Sequence, residues 1–432
     1  NKPIRPSIQI KFGSSLNYVE PKIYLAKLSI FSQEAELLSR IHGLVLAFLF
    51  FIIGLSAGMP DDRIIPAEDV LEVIKSGKPA EFKNCTIEGD LSLKGMTIEP
   101  PVYFDQAVFR DSVDFASTIF NGDVHFGHSE FHKDANFMRS KFNGHAYFGD
   151  SEFKDNANFI FSEFNGHASF MLSEFNGSAY FWGSKFNGDA GFINDRFYRD
   201  TYFSDVVFNK DASFNGSLFK EDLIFENATF HRKLSLTRTR YDELFVRWHD
   251  IAGHLVYDDA AYMSLMKNFN GLGYFEDHDS CYFQYRREHR AEPWPAANAG
   301  EEWLRKLIDY PLEWFYGYGT KPFNALLFSI AIVLVYALFW WRQGLGGPND
   351  MTPSVLPGGE EWIDNDILDI LGFSFTVFLS GTRLFIDPPL LPLIQGRSRF
   401  WTKWAFIFER LLGALFSILL FIAICGTIVR SS

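Results

Sequence analysis

Residues 135–170 read ANFMRSKFNGHAYFGDSEFKDNANFIFSEFNGHASF, and the spacing of the phenylalanines in this stretch decides the fold. Phe137, Phe142, Phe148, Phe153, Phe159, Phe164 and Phe170 follow one another at steps of five and six residues in strict alternation. The same alternation starts at Phe104 and runs unbroken to Phe230, which makes an 11-residue unit. Two positions before each Phe the residue is usually small: Ala135, Ser140, Ala146, Ser151, Ala157, Ser162. Other apolar residues extend the lattice, backwards through Ile98, Leu93 and Ile87 to Phe82 and forwards through Leu236 to Tyr241. A fixed internal period is the mark of a repeat architecture, in which each unit buries its apolar side only against its neighbours.

An 11-residue period also suits a helix with a right-handed supercoil. Steps of five and six would, however, split the phenylalanines into two distant stripes on such a helix. Asn-Gly recurs directly after Phe at 143–144, 165–166, 176–177, 187–188 and 215–216, and that dipeptide favours left-handed turns over helix interiors. Units such as Ala146-Tyr-Phe148 and Ser151-Glu-Phe153-Lys resemble the pentapeptide-repeat family, with a sixth residue added in alternate units. The resemblance implies a four-sided right-handed β-helix, with one large and one small side chain inward on each side. With the extra residues a coil takes about 22 residues. The lattice from 82 to 241 then makes seven to eight coils, a rod of about 35 Å at the usual strand spacing. Residues 59–81 read as a cap, with a short helix from Ala67 to Ser76 covering the open end of the sheets.

The formal charge of −13 argues against a general nucleic-acid binder, which needs clustered Lys and Arg. Cys85, Cys281 and Cys425 form neither a disulfide framework nor a metal-ligand pattern, and the sequence calls for no cofactor. No nucleophile–base pair or phosphate loop stands out, and the histidines at 125, 128, 132, 145 and 167 fall at or near repeat corners. An enzyme is not expected.

Outside the rod the chain turns apolar. Residues 43–55 (GLVLAFLFFIIGL) are uncharged and precede Ser56-Ala57-Gly58, so 1–58 reads as a leader carrying a signal peptide or an anchor. Residues 323–341 and 411–429 are each uncharged and long enough to cross a bilayer, with tryptophans at 340, 341, 401 and 404 suited to its interface. Between them, residues 366–379 (DILDILGFSFTVFL) predict a helix too short to span, capped by Asp364 or Asn365. Irregular backbone at membrane depth is tolerated only beside protein or a water-filled path. The order of span, short helix, Ser/Gly/Thr loop and span resembles the two-transmembrane pore module of the potassium-channel superfamily.

That resemblance implies a homotetramer of multi-pass chains around one pore, formed by residues 323–432 with a re-entrant pore helix. Thr376 would sit at the end of that helix, and Ser380, Gly381, Thr382, Arg383, Leu384 and Phe385 would take the place of the filter. Gly413 would lie near the start of the inner helix. The superfamily's Thr-Val-Gly-Tyr-Gly filter is absent, and Gly317-Tyr-Gly319, which precedes the first span, reads as a turn. A ring of Arg383 side chains would favour anions unless Asp387 neutralises it. Glu409, with Arg410, stands at the start of the last expected span, either as a functional intramembrane charge or as an interfacial one.

Residues 242–322 turn helical. Ala261, Leu265 and Met266, then Tyr282, Phe283 and Tyr285, predict a helical pair around Gly271-Leu-Gly273. Trp303, Leu304, Leu307, Ile308, Leu312 and Phe315 predict an amphipathic juxtamembrane helix. The basic run at Arg286, Arg287 and Arg290 would meet lipid phosphates or face solvent. A cleaved leader would put the rod outside the cell, and sequons at Asn84, Asn176, Asn215 and Asn227 fit that side; ordinary channel orientation would put it inside. Three functions compete: an ion channel in the cell membrane with lipids, permeant ions and further copies as partners; a membrane-tethered binding scaffold; and a DNA mimic. The last draws on 19 acidic against 10 basic residues in 104–230, and two spans argue against it.

Overall fold

The computed structural model describes residues 63–291, 299–343, 366–382, 386–387, 389 and 399–431. The chain divides into two units, 1–63 and Ile64–Ser432; Arg63 is the described residue of the first. The leader expected at 1–58 lies outside the described residues, as do Arg383, Leu384 and Phe385.

The Phe lattice folds into a β-solenoid of four parallel sheets, three with eight strands and one with seven. Strands two or three residues long pair in register with the strand 22 residues on, Phe131 with Phe153 and Ala146 with Ala168. A coil is therefore 22 residues. Identical residues meet at each rung, so the rings stack: Phe131 and Phe153 lie 4.7 Å apart and 1° from parallel, Phe137 and Phe159 4.8 Å and 3°. These distances equal the spacing between neighbouring strands, which is why one residue type serves every coil. The lattice phenylalanines from Phe104 to Phe230 are all buried, as are the residues two positions before them, and only Phe161, which stands off the lattice, is exposed.

The two kinds of repeat corner solve different problems. After Phe148, the chain turns through Gly149 and Asp150, with Ser151 N donating to Phe148 O (3.2 Å) and Asp150 at φ 59°. A residue with positive φ recurs every 11 positions, at His128, Arg139, Asp150, Phe161 and Leu172, as the third residue of such turns requires. The Asn-Gly corners, expected to be left-handed, are not so at 143–144, 165–166, 176–177 and 187–188. Glycine is needed there for close stacking instead. A Cβ on Gly166 would come 2.4 Å from Gly144 O, and one on Gly188 2.2 Å from Gly166 O. The preceding asparagines form an amide ladder, Asn165 Nδ2 to Asn143 Oδ1 at 2.8 Å and Asn187 Nδ2 to Asn165 Oδ1 at 2.6 Å.

A second ladder runs inside. Ser140, Ser151, Ser162 and Ser173 each donate a hydroxyl hydrogen bond of 2.6 Å to the carbonyl 25 residues earlier. Asp195 occupies the next-but-one place in this series and is 1% exposed. Its Oδ1 accepts from Ser173 N (2.9 Å), while Oδ2 has no partner. Burial pushes its carboxyl well above the usual carboxylate range, against the backbone hydrogen bonds that favour the charged form.

Both ends of the rod are closed. A strand, Ile64–Pro66, adds to the first rung, and helix α1 (Ala67–Lys75) buries Ala67, Val70 and Ile74 against it. At the far end Leu244–Phe245 is the last strand of one sheet, and the Asn268 side chain stands in for a further one. Its Oδ1 accepts from Leu244 N (3.0 Å) and its Nδ2 donates to Leu244 O (2.8 Å). Asn268 belongs to α3 (Asp259–Gly271), which pairs with α4 (Phe275–Ala291) as the sequence predicts. Asp277 of α4 accepts from Trp248 N (2.9 Å), tying down the short helix α2 (Trp248–Ile251).

Candidate functional site

The C-terminal part holds helices α5 (Ala299–Tyr316), α6 (Pro322–Gln343), α7 (Ile367–Leu379) and α8 (Arg399–Ser431). Pro322–Gln343 and Phe400–Ile422 are long and apolar enough to cross a membrane, and α7 is not. α7 forms because apolar residues recur at Ile370, Phe373, Val377 and Phe378, one face of a helix, and these with Ser374 are its buried positions. That face packs on Ala337 and Trp340 of α6 and, at its end, beside Val333, Phe416 and Leu412. The opposite side leaves Ile367, Leu368 and Phe375 exposed.

Glu409 sits where the three helices meet. The expected span begins near it, but α8 starts at Arg399, so Glu409 lies inside the helix rather than at its end, and it is fully buried. Trp340 Nε1 donates to Glu409 Oε2 (2.8 Å), and Ser374 Oγ donates to Glu409 Oε1 while lying 3.0 Å from Val333 O. One carboxyl thus joins α6, α7 and α8. Trp340 was legible only as an interfacial aromatic, and Ser374 only as a polar gap in an apolar row; nothing in the sequence pairs them with Glu409.

Two of the expected pore residues are points of closest helix approach. A Cβ on Gly413 would lie 1.9 Å from Phe378 O, and one on Gly381 2.2 Å from Arg410 O and 2.5 Å from Ala414 N. Ser380 closes α7: its N donates to Thr376 O (2.9 Å), and its buried hydroxyl donates to Val377 O (2.7 Å). Thr376 is part-exposed and donates to Gly372 O (2.7 Å), Thr382 is part-exposed, and Asp387 is exposed. The end of α7 is therefore pinned to α8 by two glycines.

The rod reaches these helices through a charged joint. Asp309 of α5 is buried and accepts from Arg286 Nη2 (2.8 Å), Arg290 Nη1 (3.3 Å) and the Tyr318 hydroxyl (2.6 Å). Glu313 pairs with Arg290 (2.6 Å) and Arg287 (3.3 Å). The basic run on α4, expected at lipid or solvent, faces α5 instead. Gly317-Tyr318-Gly319 is a turn, as its sequence predicts, with all three residues at positive φ. Burial and the hydrogen bond to Asp309 hold the Tyr318 hydroxyl above its ordinary range. Among the described residues no cluster of His, Cys, Asp and Glu would hold a metal.

No curated protein and no solved structure matches the chain. The family model described as Pentapeptide repeats (9 copies) matches residues 82–130, 172–218 and 196–240. The chain carries a pentapeptide-repeat β-solenoid followed by helices, two of which are long and apolar enough to cross a membrane.

Proposed function

We propose that the chain is the subunit of an oligomeric ion channel in the cell membrane, with the pore formed around α7 and the loop that follows it. The observation that carries this reading is α7 itself. It is apolar, too short to span, and fixed on one side between two span-length helices by Glu409, Ser374 and Trp340. Its other side is exposed among the described residues. A non-spanning segment at membrane depth needs protein around it, and further copies supply that cover. The rod then serves assembly or sensing, and the Asp309 joint is the path by which it would act on α6.

The test is current across planar bilayers holding the purified protein under a KCl gradient. A reversal potential on the cation side supports a potassium-channel-like pore, and one on the anion side a pore lined by Arg383, to be checked with Arg383→Ala. No current from folded, oligomeric protein, together with indifference to charge changes at 380–387, sinks the channel reading. A tethered binding scaffold would take its place. The exposed aromatic pair on the rod, Phe161 and Trp182 with rings 5.2 Å apart, favours that second reading.

A further inference from the structure

Among the described residues helix α5 presents an exposed apolar stripe, with the Arg290 guanidinium of α4 over the ring of Tyr310 at 4.1 Å. Trp303, Leu307, Tyr310 and Trp314 recur at steps of four, three and four, one face of a helix, and are 51–71% exposed. The charged side of the same helix is already satisfied. Asp309 and Glu313 are held by Arg286, Arg287 and Arg290 of α4. The far end of α5 is anchored on the span-length helices, where the Phe315 ring lies 4.7 Å from that of Phe328 and 5.4 Å from that of Phe416. Only Gly317–Lys321 separate it from α6, whose exposed side chains begin at Phe323.

We infer that α5 lies in the boundary between headgroups and acyl chains of a lipid bilayer, with the Trp303–Trp314 stripe inserted and the charged side held by α4. The inference rests on the reading of α6 as a membrane span. Three observations select lipid as the occupant. The stripe ends at Trp314, and the exposed apolar side chains of α6 begin at Phe323, nine residues on. Its bulk is Trp and Tyr, whose rings combine an apolar body with a polar tip and collect at this depth. Asp309 and Glu313, whose carboxylates lipid would not accept, are turned to arginines of the protein itself. The joint at Asp309 is thereby held at the membrane surface, where a movement of the rod meets the start of α6.

The test uses nitroxide labels on the full chain carrying Cys425→Ser, in vesicles of phosphatidylcholine with phosphatidylglycerol. Single variants Leu307→Cys and Trp314→Cys report on the stripe, Ile330→Cys on the span, and Lys94→Cys on the exposed rod. Collision with oxygen, which partitions into lipid, is compared with collision with a water-soluble nickel chelate. The expected oxygen-to-nickel ratio at 307 and 314 is severalfold above that at 94 and close to that at 330. A water-like ratio at 307 and 314 beside a lipid-like one at 330 overturns the inference and leaves the span. Shielding from both reagents at 307 and 314 overturns it too, since protein would then cover the stripe. A water-like ratio at 330 removes the span reading, and the inference with it.

Discussion

The rod and the C-terminal helices hold comparable runs of apolar side chains and point them in opposite directions. In the rod every lattice phenylalanine is turned inward and buried. In α6 and α8 only 17% of each span-length window is buried, and Leu327, Leu334, Val335 and Phe421 face outward. The rod is organised against water, with its core and its backbone ladders closed within one chain. The helices close their backbone bonds internally and leave most of their side chains exposed, as a span in an apolar surrounding would. Polar contact inside the rod runs from serine hydroxyls to backbone carbonyls, whereas Glu409 is held by side chains of two other helices.

Phe159→Ala would cut a cavity between stacked rings and cost the rod about 3–5 kcal/mol, read as a shift in its urea transition. Leu334→Ala in α6, an exposed position, should change stability in detergent by less than about 0.5 kcal/mol. Equal costs would break the comparison. Gly413→Ala places a methyl against Phe378 O and should destabilise the solubilised protein by about 1–3 kcal/mol, measured by thermal unfolding in detergent, with loss of any conductance. An unchanged melting temperature would mean that α7 does not rest on α8.

Asp195→Ser restores the serine ladder and should stabilise the rod by about 1–3 kcal/mol near neutral pH. The sign follows from the raised carboxyl. Its favourable contribution is fully present below the unfolded carboxyl range of about 4 and is lost as pH rises through the higher folded value. The advantage of the variant should therefore be small at acid pH and grow toward alkaline pH. A constant advantage across that range would show that Asp195 does not titrate within the fold. The smallest effect is expected for Arg110→Ala, which removes an exposed pair with Glu88 at 3.0 Å and should cost less than about 0.5 kcal/mol in the same urea assay.

The solenoid was legible because its contacts are copies of one another. Once Phe137 stacks on Phe159, the same 22-residue step places Phe142 on Phe164 and Phe148 on Phe170, so a period in sequence is a distance in space. What the period hid was which corner residue bends the chain. Some left-handed turn residues, such as Asp150, Asn194 and Gly216, are usual turn types, but Arg139, Phe161 and Leu172 carry no turn signal and are held by hydrogen bonds to the next coil, such as Phe161 N to Trp182 O at 2.9 Å. Asn-Gly was misleading at 143–144, 165–166, 176–177 and 187–188, where stacking of neighbouring coils rather than backbone twist asks for the glycine, while at 215–216 Gly216 is left-handed as expected.

The sequence by itself determined the repeat, its inward Phe and small residues, the helical pair behind it and the positions of two span-length helices, since each follows from a local period or an uninterrupted apolar run. Only the tertiary structure decided that Glu409 meets Trp340 and Ser374, 69 and 35 residues away, and that Asp309 gathers Arg286, Arg290 and Tyr318. A single contact between distant residues leaves no period to read. It exists because helices packed side by side bring together whichever polar groups stand at the same height, and a buried charge must find them there.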